Sequence, residues 1–276
     1  MLHSSRRVSL PLAISLLALA FATGAAAQSF TATHAKVSLI AENNSLQPGE
    51  TAWVGVLFDL EKGWHIYWVN PGDSGEPPKI KWQLPAGFEA KEIRWPTPVR
   101  LGGGTVIDYG YEGRVLLPVS IRVPASYASA KPVMLSADIR YLICREVCIP
   151  AKAQASLSIP SANAGDAADR ELFRGTLDSA PKAWPAGWKA QANDNGGFFL
   201  LSLDTGTSES KATFFPLDED QIDNSAAQGV TPTPRGLQIK LKKSDQLLKP
   251  IAELKGVVVL GAGRAFEVSA PVAAKK

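Results

Sequence analysis

The 276-residue sequence carries 29 Lys and Arg against 26 Asp and Glu, and 45% of it is hydrophobic. A net charge of only +3 argues against a general nucleic-acid binder, and the length suits one large or two modest domains, each with a real core. With cores of that size the chain needs no disulfide merely to fold.

The chain opens with Arg6 and Arg7 ahead of an apolar run ending in Ala25-Ala26-Ala27. This pattern predicts a secretory signal over residues 1–27, with Gln28 as the mature start. A retained anchor is the competing reading; Ser9, Pro11, Ser15 and the small-residue end weaken it. No later stretch is apolar enough to span a membrane. Cleavage lowers the net charge from +3 to +1, because the segment holds two arginines and no acid. Export also places the remaining chain where disulfides form and persist.

Short apolar runs with period two then follow, at residues 36–41, 52–60 and 64–69. In RVLLPVSIRV, residues 114–123, Val115, Leu117, Val119, Ile121 and Val123 share one face, as expected of a half-buried strand. Leu135, Ala137, Ile139, Tyr141 and Ile143 repeat the pattern, and so do Ala151, Ala153, Ala155, Leu157 and Ile159. SANAGDAAD, residues 161–169, reads as a linker, with a short helix expected over 170–179. Further strands are expected at residues 198–203, 237–241 and 257–260. Short strands punctuated by Gly and Pro predict antiparallel sheets packed as sandwiches. The expected fold is all-β, with domains at residues 28–160 and 180–276. Only the first has cysteines, both mature histidines (His34 and His65) and five of the seven tryptophans.

Both cysteines of the chain lie in YLICREVCIP, residues 141–150. Strand patterns on either side make this a hairpin with Cys144 and Cys148 across its neck. Opposed positions on antiparallel strands lie about 4.5–5.5 Å apart, which suits a disulfide. As a pure staple the bond closes a very short loop, for which chain entropy supplies only about 2 kcal/mol. A redox pair is the competing reading, in which Arg145 favours the thiolate and Glu146 opposes it. Metal binding is the weakest: zinc wants four ligands, and copper would have to use both thiols with His65 or Met134. Trp64, Tyr67 and Trp68 in GWHIYW read as core and rim packing, since large aromatics dominate cores.

YLICREVCIP, together with GWHIYWVNPGDSGEPPKIKW, LPAGFEAKEIRWPTP and DYGYEGRVLLPV, resembles the periplasmic N-terminal domain of the DsbD thiol:disulfide interchange proteins, in particular the ScsB-like branch. ATFFPLDEDQIDN and LKGVVVLGAGRAFEV resemble that branch's cysteine-free second region. The resemblance implies an immunoglobulin-like β-sandwich followed by a smaller β domain, working in the periplasm through a redox-active disulfide with no other cofactor. It implies that Cys148 forms the mixed disulfide with thioredoxin-like partner proteins and that Cys144 resolves it. It further implies a cap loop over the pair, matched by IDYGYEG with Asp108, Tyr109, Gly110 and Tyr111, and Tyr109 as the shielding ring. The family's membrane helices and thioredoxin-like domain have no counterpart here, so a separate transmembrane electron carrier is expected. Three residues separate the cysteines here, where better-known members have five. The alternative functions are an exported adaptor module with a structural disulfide, and copper handling.

Overall fold

A computed structural model describes residues 26–128, 132–160 and 169–273, with only the backbone described for 26–32. The expected signal, apart from Ala26 and Ala27, and the expected linker, apart from Asp169, lie outside the described residues. β1 (Ala26–Ala32), β2 (Ala35–Ala41), β3 (Thr51–Leu60) and β4 (His65–Gly72) come first. β5 (Lys79–Gln83), β6 (Glu89–Ile93) and β7 (Val99–Gly103) are short; β8 (Val106–Glu112) and β9 (Arg114–Arg122) follow. β10 (Val133–Cys144) and β11 (Cys148–Ile159) are the longest strands, at 12 residues each.

These strands form two antiparallel layers. One runs β11-β10-β4-β8-β7, with β5 also on β10, and the other runs β6-β9-β3-β2. β1 crosses between them, pairing residues 26–28 with β11 and residues 29–32 with β2. The core lies between the layers because the period-two residues point inward. Leu135, Ile139, Tyr141 and Ile143 of β10 face Val37, Val56, Phe58, Leu117 and Val119 within one buried cluster.

The helix α1 (Arg170–Ser179) sets the fully buried Phe173 against Ile40, Leu57 and Leu116, on the outer side of the second layer. β12 (Lys189–Asp194), β13 (Phe198–Asp204), β14 (Ala212–Pro216), β15 (Gly229–Thr233), β16 (Gly236–Lys242), β17 (Glu253–Leu260) and β18 (Ala265–Ala273) form the second sheet. Its parallel pairings among the described residues are β12 with β18 and an isolated bridge from Lys182 to Phe266 of β18. Phe199, Leu201, Ile239 and Val258 fill its own core. The fold is all-β and sandwich-like, as expected from the alternation.

The two sheets meet through matched groups. Phe215 of β14 lies edge-on to Trp68 and Tyr109, with ring centroids 6.4 and 5.2 Å away. Asn70, 1% exposed, donates its amide to the carbonyls of Pro216 and Asp218 at 2.8 and 3.1 Å. Asn224 accepts from the Tyr109 hydroxyl and donates to Asp73 Oδ1, both at 2.8 Å.

Two outcomes follow from this packing. Phe215→Ala removes a ring that belongs to the first core as well as its own sheet, and should lower unfolding stability by about 3–5 kcal/mol in urea denaturation; a loss under about 1 kcal/mol would mean that the junction is loosely packed. Burial also raises the phenol pKa of Tyr109 and Tyr111, and pushes Tyr141 up to about 12. The native state therefore holds these protons more tightly than the unfolded chain, whose tyrosines titrate near 10. The stabilisation from Tyr141 is complete below about pH 10 and lost as pH rises through about 12, while that from Tyr109 and Tyr111 persists to higher pH. Phenolate absorbance and urea midpoints across that window check this; midpoints that stay level through it contradict it.

Candidate functional site

The β10–β11 ladder ends on the pair Cys144↔Cys148, and the backbone N–H of Arg145 closes the tip on the Val147 carbonyl at 3.3 Å. The two sulfurs are joined, and the Cα atoms lie 4.2 Å apart. The cysteines differ sharply in environment. Cys144 is 2% exposed, because β4 lies on its other flank with His65 as its register partner. Cys148 is exposed, since β1, the other neighbour of β11, pairs only with residues 156–158.

β4 supplies what surrounds the sulfurs. Ile66 and Trp68 face the core, so His65 and Tyr67 face outward, on the side that holds Cys144. The Tyr67 hydroxyl donates to Cys144 Sγ at 2.8 Å and lies 3.3 Å from Cys148 Sγ. Tyr67 is nonetheless fully buried, because Gly75 lies flat on its ring. A Cβ at Gly75 would stand 2.2 Å from Tyr67 Cζ, and the glycine's φ of +83° is one that side chains rarely adopt. Burial, the largest influence, raises the Tyr67 pKa; Asp108 adds to the rise and the Ser74 hydroxyl opposes it. The phenol thus stays protonated at neutral pH and remains a donor.

The loop that covers Tyr67 is tied down on both sides. Ser74 donates its backbone N–H and its hydroxyl to Asp108 Oδ1, at 3.0 and 2.9 Å. Asp73 accepts from the backbone N–H of Ile107 at 2.7 Å, and its other oxygen accepts from Asn224. The buried Asp108 also lies 3.8 Å from His65 Nε2, which has no hydrogen-bond partner among the described residues. At the rim Trp64 is sandwiched, with His34 stacked 3.8 Å away and the Arg145 guanidinium 5.2 Å from its ring centre.

The stretch expected as a cap loop is strand β8, and its parts separate. Asp108 faces the site, as described. Tyr109, expected as the shielding ring, is fully buried in the core against Trp68 and Phe215, its hydroxyl on Asn224. Tyr111 is also buried in the core and donates to the Pro96 carbonyl at 2.8 Å. Gly110 faces outward but has no side chain: a Cβ there would stand 2.1 Å from the Ile66 carbonyl oxygen. Period-two geometry is the reason, since a strand that buries 107, 109 and 111 can turn only 108 and 110 outward. The ring at the sulfurs is Tyr67, which sequence reading had assigned to packing. Alternation in GWHIYW, which sets His65 and Tyr67 opposite Ile66 and Trp68, was the available signal.

Chemically, the site offers one accessible sulfur, one sheltered sulfur, a phenol that donates to the sheltered sulfur and lies within reach of the other, and a buried carboxylate-imidazole pair beside the sheltered one. No group of three or more His, Cys, Asp or Glu side chains among the described residues is placed to hold a metal ion. No described helix is long and apolar enough to cross a membrane.

Comparison with known proteins bears on this geometry. Residues 36–160 match the family described as "Thiol:disulfide interchange protein DsbD, N-terminal". No curated protein sequence matches the chain. Among solved structures, the N-terminal periplasmic domain of ScsB from Proteus mirabilis is similar in fold, with a TM-score of 0.67 at 18% identity, over 88% of this chain and 96% of that one. The periplasmic chaperone SfaE aligns with a TM-score of only 0.22 at 10% identity, over 86% of this chain and 100% of that one. The segment that carries Cys144, Cys148 and Tyr67 therefore lies within the stretch that matches the DsbD N-terminal family, and the chain shares the fold of the ScsB periplasmic domain.

Proposed function

We propose that this chain is a periplasmic thiol-disulfide exchange protein, exported by its first 27 residues, that passes reducing equivalents to oxidised periplasmic proteins. The observation that carries the reading is the asymmetry of the pair: Cys148 is exposed, Cys144 is 2% exposed, and the Tyr67 hydroxyl reaches both sulfurs. In a structural staple neither feature has a use.

The exchange runs through Cys148. A thiolate of a reduced partner attacks Cys148 Sγ; the Cys144–Cys148 bond breaks and Cys144 leaves with the electron pair. The leaving thiolate forms where the Tyr67 O–H already points. The partner's second thiolate then attacks the mixed disulfide and releases Cys148. Two electrons have moved, the partner is a disulfide, and this chain is a dithiol. The reverse sequence, with Cys148 attacking a client disulfide and Cys144 resolving, reduces the client. Re-reduction is assigned to a separate transmembrane electron carrier, and partner proteins to the thioredoxin-like class.

Cys144→Ala should accumulate mixed disulfides through Cys148 with thioredoxin-like proteins, while Cys148→Ala should trap little; the opposite pattern on non-reducing gels would reverse the roles.

Tyr67→Phe keeps the ring and removes the hydroxyl. A hydrogen bond to a charged group contributes about 1.5–3 kcal/mol, and the reduced form loses it in the variant. The potential should therefore become more negative by about 30–60 mV in glutathione titration. An unchanged potential would mean that the hydroxyl does not distinguish thiolate from disulfide.

A further inference from the structure

The face of the β10–β11 hairpin that carries the disulfide continues into a second pattern. Register pairs Leu142 with Pro150, Arg140 with Lys152 and Asp138 with Gln154. On the other flank β5 sets Lys79 opposite Arg140 and Lys81 opposite Asp138. Lys79, Arg140 and Lys152 thus stand side by side across three strands, all exposed, with Lys81 one row further along. Like charges directly opposite one another on a sheet repel, so this row costs the free protein stability.

Little within the chain answers the row. Glu76 pairs with Lys79 at 2.9 Å. Asp138, the nearest carboxylate in the ladder, accepts from Gln83 and Gln154. Among the described residues no carboxylate lies within 4.0 Å of Lys81, Arg140 or Lys152. The row is also a local feature, because the exported chain is nearly neutral overall.

Its placement relates it to Cys148. Strand geometry puts Lys152 about 13 Å from Cys148 on the same face. The half-buried Leu142 and the exposed Pro150 form an apolar step between them. Reactive sulfur, apolar step and charged border follow the anatomy of a protein interface, with an apolar centre and a polar rim. We propose that this row is the docking surface for a thioredoxin-like redox partner that carries carboxylates about 13 Å from its reactive cysteine. The proposal rests on the exchange reading above and adds how the partner is chosen and oriented.

The test compares the unaltered chain with an Arg140→Glu/Lys152→Glu variant. The probe is a reduced thioredoxin-fold protein with acidic residues around its Cys-x-x-Cys motif, and dithiothreitol is the uncharged control. Exchange with the acidic protein should fall on the order of ten-fold or more at low salt, because steering of that size is typical of clustered charge. The gap should close near 1 M salt, where screening acts within about 3 Å, and dithiothreitol should reduce both chains equally. A partner whose acids are replaced by lysine should recover its rate with the variant. Equal exchange rates with the same salt dependence would overturn the docking surface. Unchanged exchange, combined with lost binding to phosphatidylglycerol vesicles, would instead give the row to a membrane surface. If dithiothreitol reduces the unaltered chain but the protein thiol never does, the exchange reading itself falls and takes this surface with it.

Discussion

The closing pair of the β10–β11 ladder sets the terms for everything around it. Antiparallel register places Cys144 directly opposite Cys148, which brings the two sulfurs within bonding reach. The same ladder gives the two sulfurs unequal neighbours. β4 lies along the far side of Cys144, while among the described residues β11 has no second partner strand at Cys148. One sulfur is therefore sheltered and the other open, a division that sheet topology makes and that no property of the cysteines themselves requires. The long hairpin can hold this geometry because its inner face, from Val133 to Ile143, is core.

Tyr67 ties the disulfide to the rest of the fold. Its ring needs a cover, and the loop after β4 provides it with a glycine where a side chain would collide. That loop is held by Asp108 from β8 and by Asn224 from the connection between β14 and β15. The cysteine-free half of the chain is thus in hydrogen-bonded contact with the loop that shelters the phenol, through Asn224 on Asp73, and with β4 before it, through Asn70 on Pro216 and Asp218. Phe215, packed on Trp68 and Tyr109, makes the junction continuous with the first core. A loop with anchors on two sheets opens less readily than one tied to a single strand, since local opening must break both sets of contacts.

The buried pair His65 and Asp108 shows what a nearly complete polar network leaves available. Ser74 satisfies one oxygen of Asp108 twice over and approaches the other at 3.1 Å, yet His65 Nε2 finds only that second oxygen at 3.8 Å. A buried nitrogen without a close partner is costly, and here that cost is borne beside the disulfide.

Alternation alone was sufficient to find β2–β4, β9–β11, β13, β16 and β17, the sandwich class and the inward faces of β9, β10 and β11, because a period of two is a local property of each segment. The four-residue step from Cys144 to Cys148 likewise made a hairpin-neck disulfide legible, since both partners lie in one short stretch. Tyr67 and Cys144 are 77 residues apart, and only the packing of β4 beside β10 brings the phenol to the sulfurs. Tyr109 failed as the shielding ring for the same reason: family resemblance supplied a motif, but the register of β8 against β4 decided which face each residue took. Local sequence determines the period of a strand and hence which residues move together. Which strand lies beside it, and which flank stays open, depends on contacts between distant segments, and those are settled only when both layers and the second sheet pack.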